Sequence, residues 1–290
     1  MISIFAKQAF LNTSPNTPFI SKEESYHGRG HLQRVSSIIR GNQIAERGGF
    51  RLNPESDFEN DVCIYVKPHL KRGMDFEFKG KRAYLDIIDG HALGEVLINH
   101  PEVGVITCSW SDFNIMRRSL PKHEIHYIPQ HHANFERIQR TRKEVKRVGI
   151  IGEENAFNHI PNYLENALKS IGMELVKFSG FFSRQDIIDF YMNIDIQLVW
   201  RPYKKRLSNP LKIVNAMSFG IPSVALDEEA FQEVKGSYIP MSVPADIIAS
   251  INTLRDASTY ELFSTRCLKD AENYHIDNVV KKYKELDYAN

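Results

Sequence analysis

Short apolar runs alternate with longer amphipathic stretches along most of the chain, and no other feature constrains the fold as strongly. The first half holds Asp61-Val-Cys-Ile-Tyr-Val66, Ala83-Tyr-Leu-Asp-Ile-Ile88, Val103-Gly-Val-Ile-Thr-Cys108 and Ile125-His-Tyr-Ile128. The second half repeats the pattern with Val148-Gly-Ile-Ile151, Glu174-Leu-Val-Lys-Phe178, Ile196-Gln-Leu-Val-Trp200 and Ser223-Val-Ala-Leu226. Each run is apolar and bounded by turn or polar residues, as a strand buried on both faces must be. Between them lie helical segments such as Ile160 to Ile171, with Tyr163, Leu164, Ala167, Leu168 and Ile171 on one stripe. Such alternation calls for parallel sheets with helices on both faces, an α/β fold. At 290 residues the chain is long for one core, so two domains are expected. The basic segment Phe135 to Arg147 breaks the alternation ahead of a fresh strand at Val148 and reads as the interdomain connection, its cations a solvated face. Residues 1–140 then form an N-terminal domain and 141–290 a C-terminal one.

A formal net charge of +1 gives no global reason to expect nucleic acid as a partner. The start, Met1-Ile-Ser-Ile-Phe-Ala-Lys, lacks the basic and apolar regions of a signal peptide. No apolar run approaches the ~20 residues that span a bilayer. Cys63, Cys108 and Cys267 are far apart, each in or beside an apolar stretch, which suits reduced buried thiols rather than disulfides or zinc. These features together predict a cytoplasmic protein.

In doubly wound sheets, ligands bind beyond the carboxyl ends of the strands, where helix N-termini meet anions. The leading candidate follows the strand ending at Trp200. There Ser208 reads as an N-cap, Pro210 as a first-turn residue and Gly220-Ile-Pro222 as the helix stop. Arg201, Lys204, Lys205 and Arg206 crowd the loop entering that helix, a composition fit for a diphosphate, each contact worth ~1.5–3 kcal/mol. A solvated basic loop ahead of an ordinary helix is an equal reading of the same residues. Further upstream, Ser25-Tyr-His-Gly-Arg-Gly-His31 precedes Leu32, Val35, Ile38 and Ile39 at helical spacing. Gly28 and Gly30 make either a phosphate-facing loop or a plain turn, and His27 and His31 beside them titrate near neutrality. Asp89-Gly-His91 follows the Ile87-Ile88 strand end and is read either as catalytic groups or as a capping Asp and a satisfied His. His131-His132 has no third ligand at sensible spacing, so no metal is expected.

The stretch Asn209-Pro-Leu-Lys-Ile-Val-Asn-Ala-Met-Ser-Phe-Gly-Ile-Pro-Ser-Val-Ala225 resembles the donor-site signature of the retaining GT-B glycosyltransferases, the group-one or family-four set. Gly180 to Tyr191 and Ile194-Asp-Ile-Gln-Leu-Val-Trp-Arg-Pro202 resemble the same families' glycine loop, helix and strand, and Ile128-Pro-Gln130 falls where they carry Ile-Pro-Asn. The likeness is strong across 180–235, weaker across 84–155 and hardly visible before 60. It implies two Rossmann-like domains with a ligand cleft between them, the first for the acceptor and the second for a nucleotide diphosphate sugar. Neither metal nor other cofactor is implied. Ser208, Asn209, Pro210 and Leu211 match the helix start at the donor phosphate, and Lys212 the motif's lysine. Gly180 and Phe181 match the loop near the nucleobase. Gly28, Gly30 and His31 match the loop facing the donor phosphates, and His91 with Asp89 the groups near the reacting sugar, with His27 the second catalytic choice. A C-terminal helix at about 275–290 is implied to pack back on the first domain.

The departures are specific. Many members of these families carry two glutamates, where this chain has Leu207 and Asn215. Asn215 keeps an amide for ribose hydroxyls, whereas Leu207 has no polar group for the sugar. The usual Arg and Lys after the domain's first strand are also absent, since Val148-Gly-Ile-Ile-Gly-Glu-Glu-Asn155 is acidic there, and Arg201 and Lys205 are expected to supply the charge instead. The expected function is sugar transfer from a nucleotide sugar to an unknown glycan, lipid-linked or other acceptor. Its rivals are an inactive sugar-nucleotide-binding or partner-binding module and a GT-B-fold sugar-nucleotide epimerase. Basic clusters at Lys67 to Arg82 and Arg137 to Arg147 read first as solvated faces and leave room for a weak peripheral membrane contact.

Overall fold

The apolar runs pair into two separate sheets in which every ladder is parallel. The computed structural model describes residues 1–6, 35–68, 76–88, 93–140, 144–179, 184–203 and 207–288. They fall into two compact units, Met1–Gln130 with Leu207–Asn209 and Ile276–Asn290, and His131–Arg206 with Pro210–His275.

In the first unit β1 (Ile2–Phe5) is followed by a helical stretch, α1 (35–48), with a π-helical turn at Ile38–Asn42. Then come β2 (Arg51–Leu52), β3 (Val62–Val66), β4 (Arg82–Asp86), α2 (Leu93–Asn99), β5 (Gly104–Thr107), α3 (Trp110–Ser119) and β6 (Ile125–Tyr127). The strand order is β2-β1-β3-β4-β5-β6. Its core is built from the inward residues of β3 to β5 with Leu93, Leu97 and Leu120. The chain's last helix, Ile276–Tyr288, packs in this unit against α1.

The second unit holds β7 (Arg147–Ile151), α4 (Glu154–Phe157), α5 (Leu164–Ser170), β8 (Glu174–Phe178), α6 (Arg184–Met192), β9 (Ile196–Val199) and α7 (Leu211–Ser218). β10 (Ser223–Leu226), a 3-10 turn, β11 (Tyr238–Met241), α8 (Asp246–Thr253) and α9 (Ala257–Ala271) complete it. The strand order is β11-β10-β9-β7-β8. The final helix, α10 (Ile276–Tyr288), buries Ile276, Val279, Val280, Tyr283 and Leu286.

Three strands lack a run that the sequence reading picks out. β1 and β2 are only four and two residues long, and β11 contains Pro240, tolerated there because the strand lies at a sheet edge. The expected helix Ile160–Ile171 is shorter, Leu164–Ser170, with Pro161 in the preceding turn and Tyr163 exposed. The basic segment before β7 is also not simply solvated. Arg140 is mostly buried and pairs with Asp195 (2.9 Å), while Arg137 meets Glu272 (2.9 Å) and Arg147 meets Glu174 (3.4 Å). The three cysteines are buried free thiols.

Each unit carries a buried polar anchor. In the first, Arg40 on the π-helical turn is 1% exposed, and its Nε donates to Asp86 Oδ2 (2.6 Å) at the end of β4. Its Nη1 donates to the carbonyls of Ile128 (2.8 Å) and Pro129 (2.9 Å), and Tyr283 Oη donates to the same Asp86 oxygen (3.3 Å). One side-chain pair therefore ties α1, β4, the exit of β6 and α10. Burial opposes the charge on Arg40, and Asp86 more than offsets it. In the second unit, Asn134 Nδ2 donates to Ser218 O (2.8 Å) and Ile138 O (3.0 Å), and its Oδ1 accepts from Ile138 N–H (2.8 Å). Nearby, His132 N–H donates to Tyr274 O (3.1 Å), and the rings of His132 and His275 pack at 5.4 Å. The start and end of the second unit are thereby stitched together.

Two outcomes follow. Removing one partner of the Arg40–Asp86 pair strands a buried charge, so Arg40→Met or Asp86→Leu alone should cost ~3–5 kcal/mol in urea unfolding, and the double replacement less than either. The His132 ring is held neutral, its pKa lowered to about 3 by burial and then by His275, His131 and Arg137. The unfolded chain binds that proton below about pH 6.5 and the folded chain does not. Stability is thus full above pH 6.5 and is lost as pH falls towards 3, by up to ~1.4 kcal/mol per pH unit. Urea titrations across pH 5 to 7 should show His132→Gln flattening that slope by about one proton.

Candidate functional site

Within the second sheet the chain runs from β7 outward to β8, then returns to place β9 on the other side of β7. That reversal sends neighbouring crossovers to opposite faces and leaves a crevice beyond the carboxyl ends of β7 and β9, the switch point of a doubly wound sheet. Gly152 directly follows β7, Trp200 and Arg201 follow β9, and Lys212 lies in the first turn of α7. Gly152 is buried, with its N–H donating to Phe178 O (3.1 Å). A Cβ placed on it would lie 3.3 Å from Lys212 Nζ and 3.3 Å from Ala156 Cβ. The missing side chain thus lets the Lys212 ammonium rest over the end of β7. The carrier side chain itself is exposed.

α7 forms because Ile213, Val214, Ala216 and Met217 make one buried apolar face. It ends as the sequence suggests, with Gly220 at φ +66 and Ile221 N–H donating back to Ala216 O (3.0 Å). Its start differs from the expectation. Pro210, not Ser208, occupies the N-cap position, and Val214 N–H donates to Pro210 O (2.9 Å). Ser208 is buried in the first unit, its N–H reaching Asp112 Oδ1 (3.4 Å), while Leu207 is buried and Asn209 half-buried. The helix therefore starts two residues later than a Ser208 cap would give, directly after a proline whose fixed φ suits a helix start. Tyr191, fully buried and stacked on Phe219, donates to Lys212 O (3.1 Å) and so fixes the turn that carries the lysine.

Asn215 and Arg201 both have protein partners. Asn215 Oδ1 accepts from Ala133 N–H (2.7 Å), which leaves the Nδ2 amide as its donor for a ligand. Arg184 donates to Ala133 O (2.8 Å) and pairs with Glu136 (2.7 Å), so the segment after His131 is held from two helices. Arg201 forms a two-pronged pair with the buried Glu228, Nε to Oε1 at 2.5 Å and Nη2 to Oε2. The guanidinium is therefore already matched by a carboxylate, and the basic loop brings less net charge than its sequence implies. Trp200 Nε1 donates to His159 O (2.9 Å).

Of the residues singled out from sequence, the structure gathers Lys212, Leu211 and Pro210 at the α7 start, Asn215 further along that helix, and Arg201 beyond β9. His27, Gly28, Gly30, His31, Asp89, His91, Gly180, Phe181 and Lys205 lie outside the described residues. Gly152 and Glu228 escaped the sequence reading. A glycine directly after an apolar strand was the available signal for the first, masked by the acidic pair Glu153-Glu154. Glu228 carried none, since only the fold opposes it to Arg201. His131 and His132 are buried, and among the described residues no group of three or more His, Cys, Asp or Glu is placed to hold a metal ion.

No family model matches the sequence, and no curated protein matches it. Solved structures do. Anabaena HepE, bound to UDP and glucose, superposes with a TM-score of 0.60 at 9% identity over 100% of this chain and 99% of that one. T4 phage β-glucosyltransferase gives 0.57 at 10% identity over 99% of both chains, and it has been solved with UDP-glucose. The pneumococcal O-GlcNAc transferase GtfA, with UDP and GlcNAc, gives 0.51 at 13% identity over 79% of this chain and 57% of that one. The chain thus spans about half the length of the GtfA-type structures it matches. Likeness at such identity is one of fold, and the fold is GT-B, two parallel α/β sheets of the kind these nucleotide-sugar glycosyltransferases share.

Proposed function

We propose that this chain transfers a sugar from a nucleoside diphosphate sugar to the hydroxyl of an acceptor, with the donor held by the second unit. The observation that carries the reading is the Lys212 ammonium over Gly152 at the switch point of the second sheet. A diphosphate there meets a cation, and the positive end of α7 lies one residue before it. Both groups oppose the charge that grows on the leaving diphosphate, so they favour the transition state over the bound donor. Asn215 Nδ2 is assigned to the ribose, and Arg201, oriented by Glu228, to an outer phosphate oxygen. In the retaining families that the α7 motif resembles, the leaving diphosphate helps to deprotonate the acceptor, and retention is the outcome proposed here. His91, with Asp89, and then His27 are the proposed proton-handling groups, assigned on sequence position alone. The acceptor is a glycan, a lipid-linked molecule or another hydroxyl-bearing molecule.

A second reading, a binding module without turnover, draws on a separate observation. Leu207 is buried in packing, and the Asn215 carbonyl oxygen is taken by Ala133 N–H. Both positions where similar transferases carry carboxylates therefore serve structure in this chain.

Calorimetry with UDP and a panel of UDP-sugars tests the donor assignment. Lys212→Ala should weaken binding about 10- to 100-fold, ~1.5–3 kcal/mol for one charge-assisted contact. Unchanged affinity would remove α7 from the site. Asn215→Leu should likewise weaken binding. Turnover separates the two readings. His91→Ala should lower it at least tenfold, about 1.4 kcal/mol of transition-state stabilisation, with donor affinity unchanged. Tight donor binding with no transfer or hydrolysis in the unaltered chain would leave the binding module.

A further inference from the structure

The two strands that bound the crevice of the second sheet each lead to an exposed aromatic residue, and the two rings meet. From β7 the chain passes Gly152 and α4 to reach His159, and from β9 it passes Trp200, Arg201 and Pro202 to reach Tyr203. The His159 and Tyr203 rings stand at 90° with centroids 6.0 Å apart. Both residues are exposed, Tyr203 by 53%. The backbone that carries them is nevertheless held. Trp200 packs against the core around Leu198 and Val224, and its Nε1 donates to His159 O (2.9 Å), which ties one strand's extension to the other's. Two residues before Tyr203, Arg201 pairs with the buried Glu228, and Pro202 between them has a fixed φ. A ring on so short and constrained a lead gives up little freedom when a ligand meets it.

The pair also belongs to a definite side of the crevice. Successive residues of β10, Val224 and Ala225, point into separate cores on the two faces of the sheet. α7 packs into the Ala225 core through Ile213, Val214 and Met217. Phe157 and Ile160, which flank His159, pack against the Val224 core instead. The ribose assigned to Asn215 is on the α7 face, so a diphosphate that crosses the crevice at Lys212 directs its sugar to the His159 face.

We propose that Tyr203 and His159 form the platform for the sugar ring of the donor, the group that is transferred. The inference rests on the sugar-transfer reading and deepens it by naming the residues that take the pyranose. A pyranose has an apolar C–H face and a rim of hydroxyls. A phenol ring with its hydroxyl, and an imidazole at right angles to it, supply a matching apolar face and hydrogen-bonding groups. The nucleobase is the less suitable occupant, because it lies on the ribose side of the diphosphate.

Calorimetry with UDP, UDP-glucose, UDP-galactose and UDP-N-acetylglucosamine separates the two ends of the donor. Tyr203→Leu should weaken the best-bound UDP-sugar about fivefold or more and leave UDP affinity unchanged. Tyr203→Phe, which keeps the ring, should weaken it less, and His159→Ala should act on the UDP-sugar alone. Unchanged UDP affinity also shows that each variant is folded. Three outcomes would overturn the platform. The first is UDP-sugar affinity unaltered by Tyr203→Leu. The second is equal weakening of UDP and UDP-sugar, which would put the base or the phosphates at this ring. The third is a Tyr203→Phe variant as weak as Tyr203→Leu, which would reduce the ring to a hydroxyl contact. Each of these leaves UDP bound by the unaltered protein and the donor reading standing. Absence of both UDP and UDP-sugar binding in the unaltered protein would instead strike the donor reading, and the platform with it.

Discussion

A parallel sheet cannot be closed by hairpins, and that constraint shapes everything else in this chain. Each strand must be reached by a crossover, so a sheet whose order reverses, as β8-β7-β9-β10 does, opens a crevice where crossovers leave on opposite faces. The residues beyond β7 and β9 are there because of the reversal, not because of local preference. Gly152 lets a lysine approach the end of β7, and Tyr191 fixes the helical turn from which that lysine comes. Chemistry is then a matter of which charges the crevice presents. Among the described residues there, Lys212 lies over Gly152 and Arg201 is paired with Glu228.

The buried polar anchors explain how short strands give a definite structure. β1 has four residues and β6 three, too little apolar area to fix register and neighbours by themselves. Arg40 reaches a carboxylate at the end of β4 and two carbonyls beyond β6, while Tyr283 brings in α10. Asn134 plays the corresponding part in the second unit by satisfying its own loop and the end of α7. Such groups are costly to bury unless all these bonds form together, so each penalises alternative packings. The neutral His132 beside His275 adds a similar condition, and pH sets whether it is met.

The α/β class and most strands of both sheets were legible in the sequence, because a strand buried on both faces must be a continuous apolar run. β11 was not, since Pro240 argues against a strand except at an edge, and edges are a property of the finished sheet. The α7 motif was legible as a whole and misread at its start, where Ser208 looked like the better cap and Pro210 took the position. Arg201 looked like an available cation because nothing in the chain announces that Glu228, 27 positions later, folds onto it. Opposition across a sheet edge is the kind of fact that composition and spacing do not encode.

Amide hydrogen exchange with a UDP-sugar, read by mass spectrometry, locates the donor on the chain. If the switch point of the second sheet holds the donor, the ligand should slow exchange in the peptides covering Gly152 to Asn155, Trp200 to Arg201 and Leu211 to Asn215. The β1 to β6 peptides should change less. Protection confined to the first sheet, or absent at ligand concentrations that saturate binding, would mean that the switch point of the second sheet does not hold the donor.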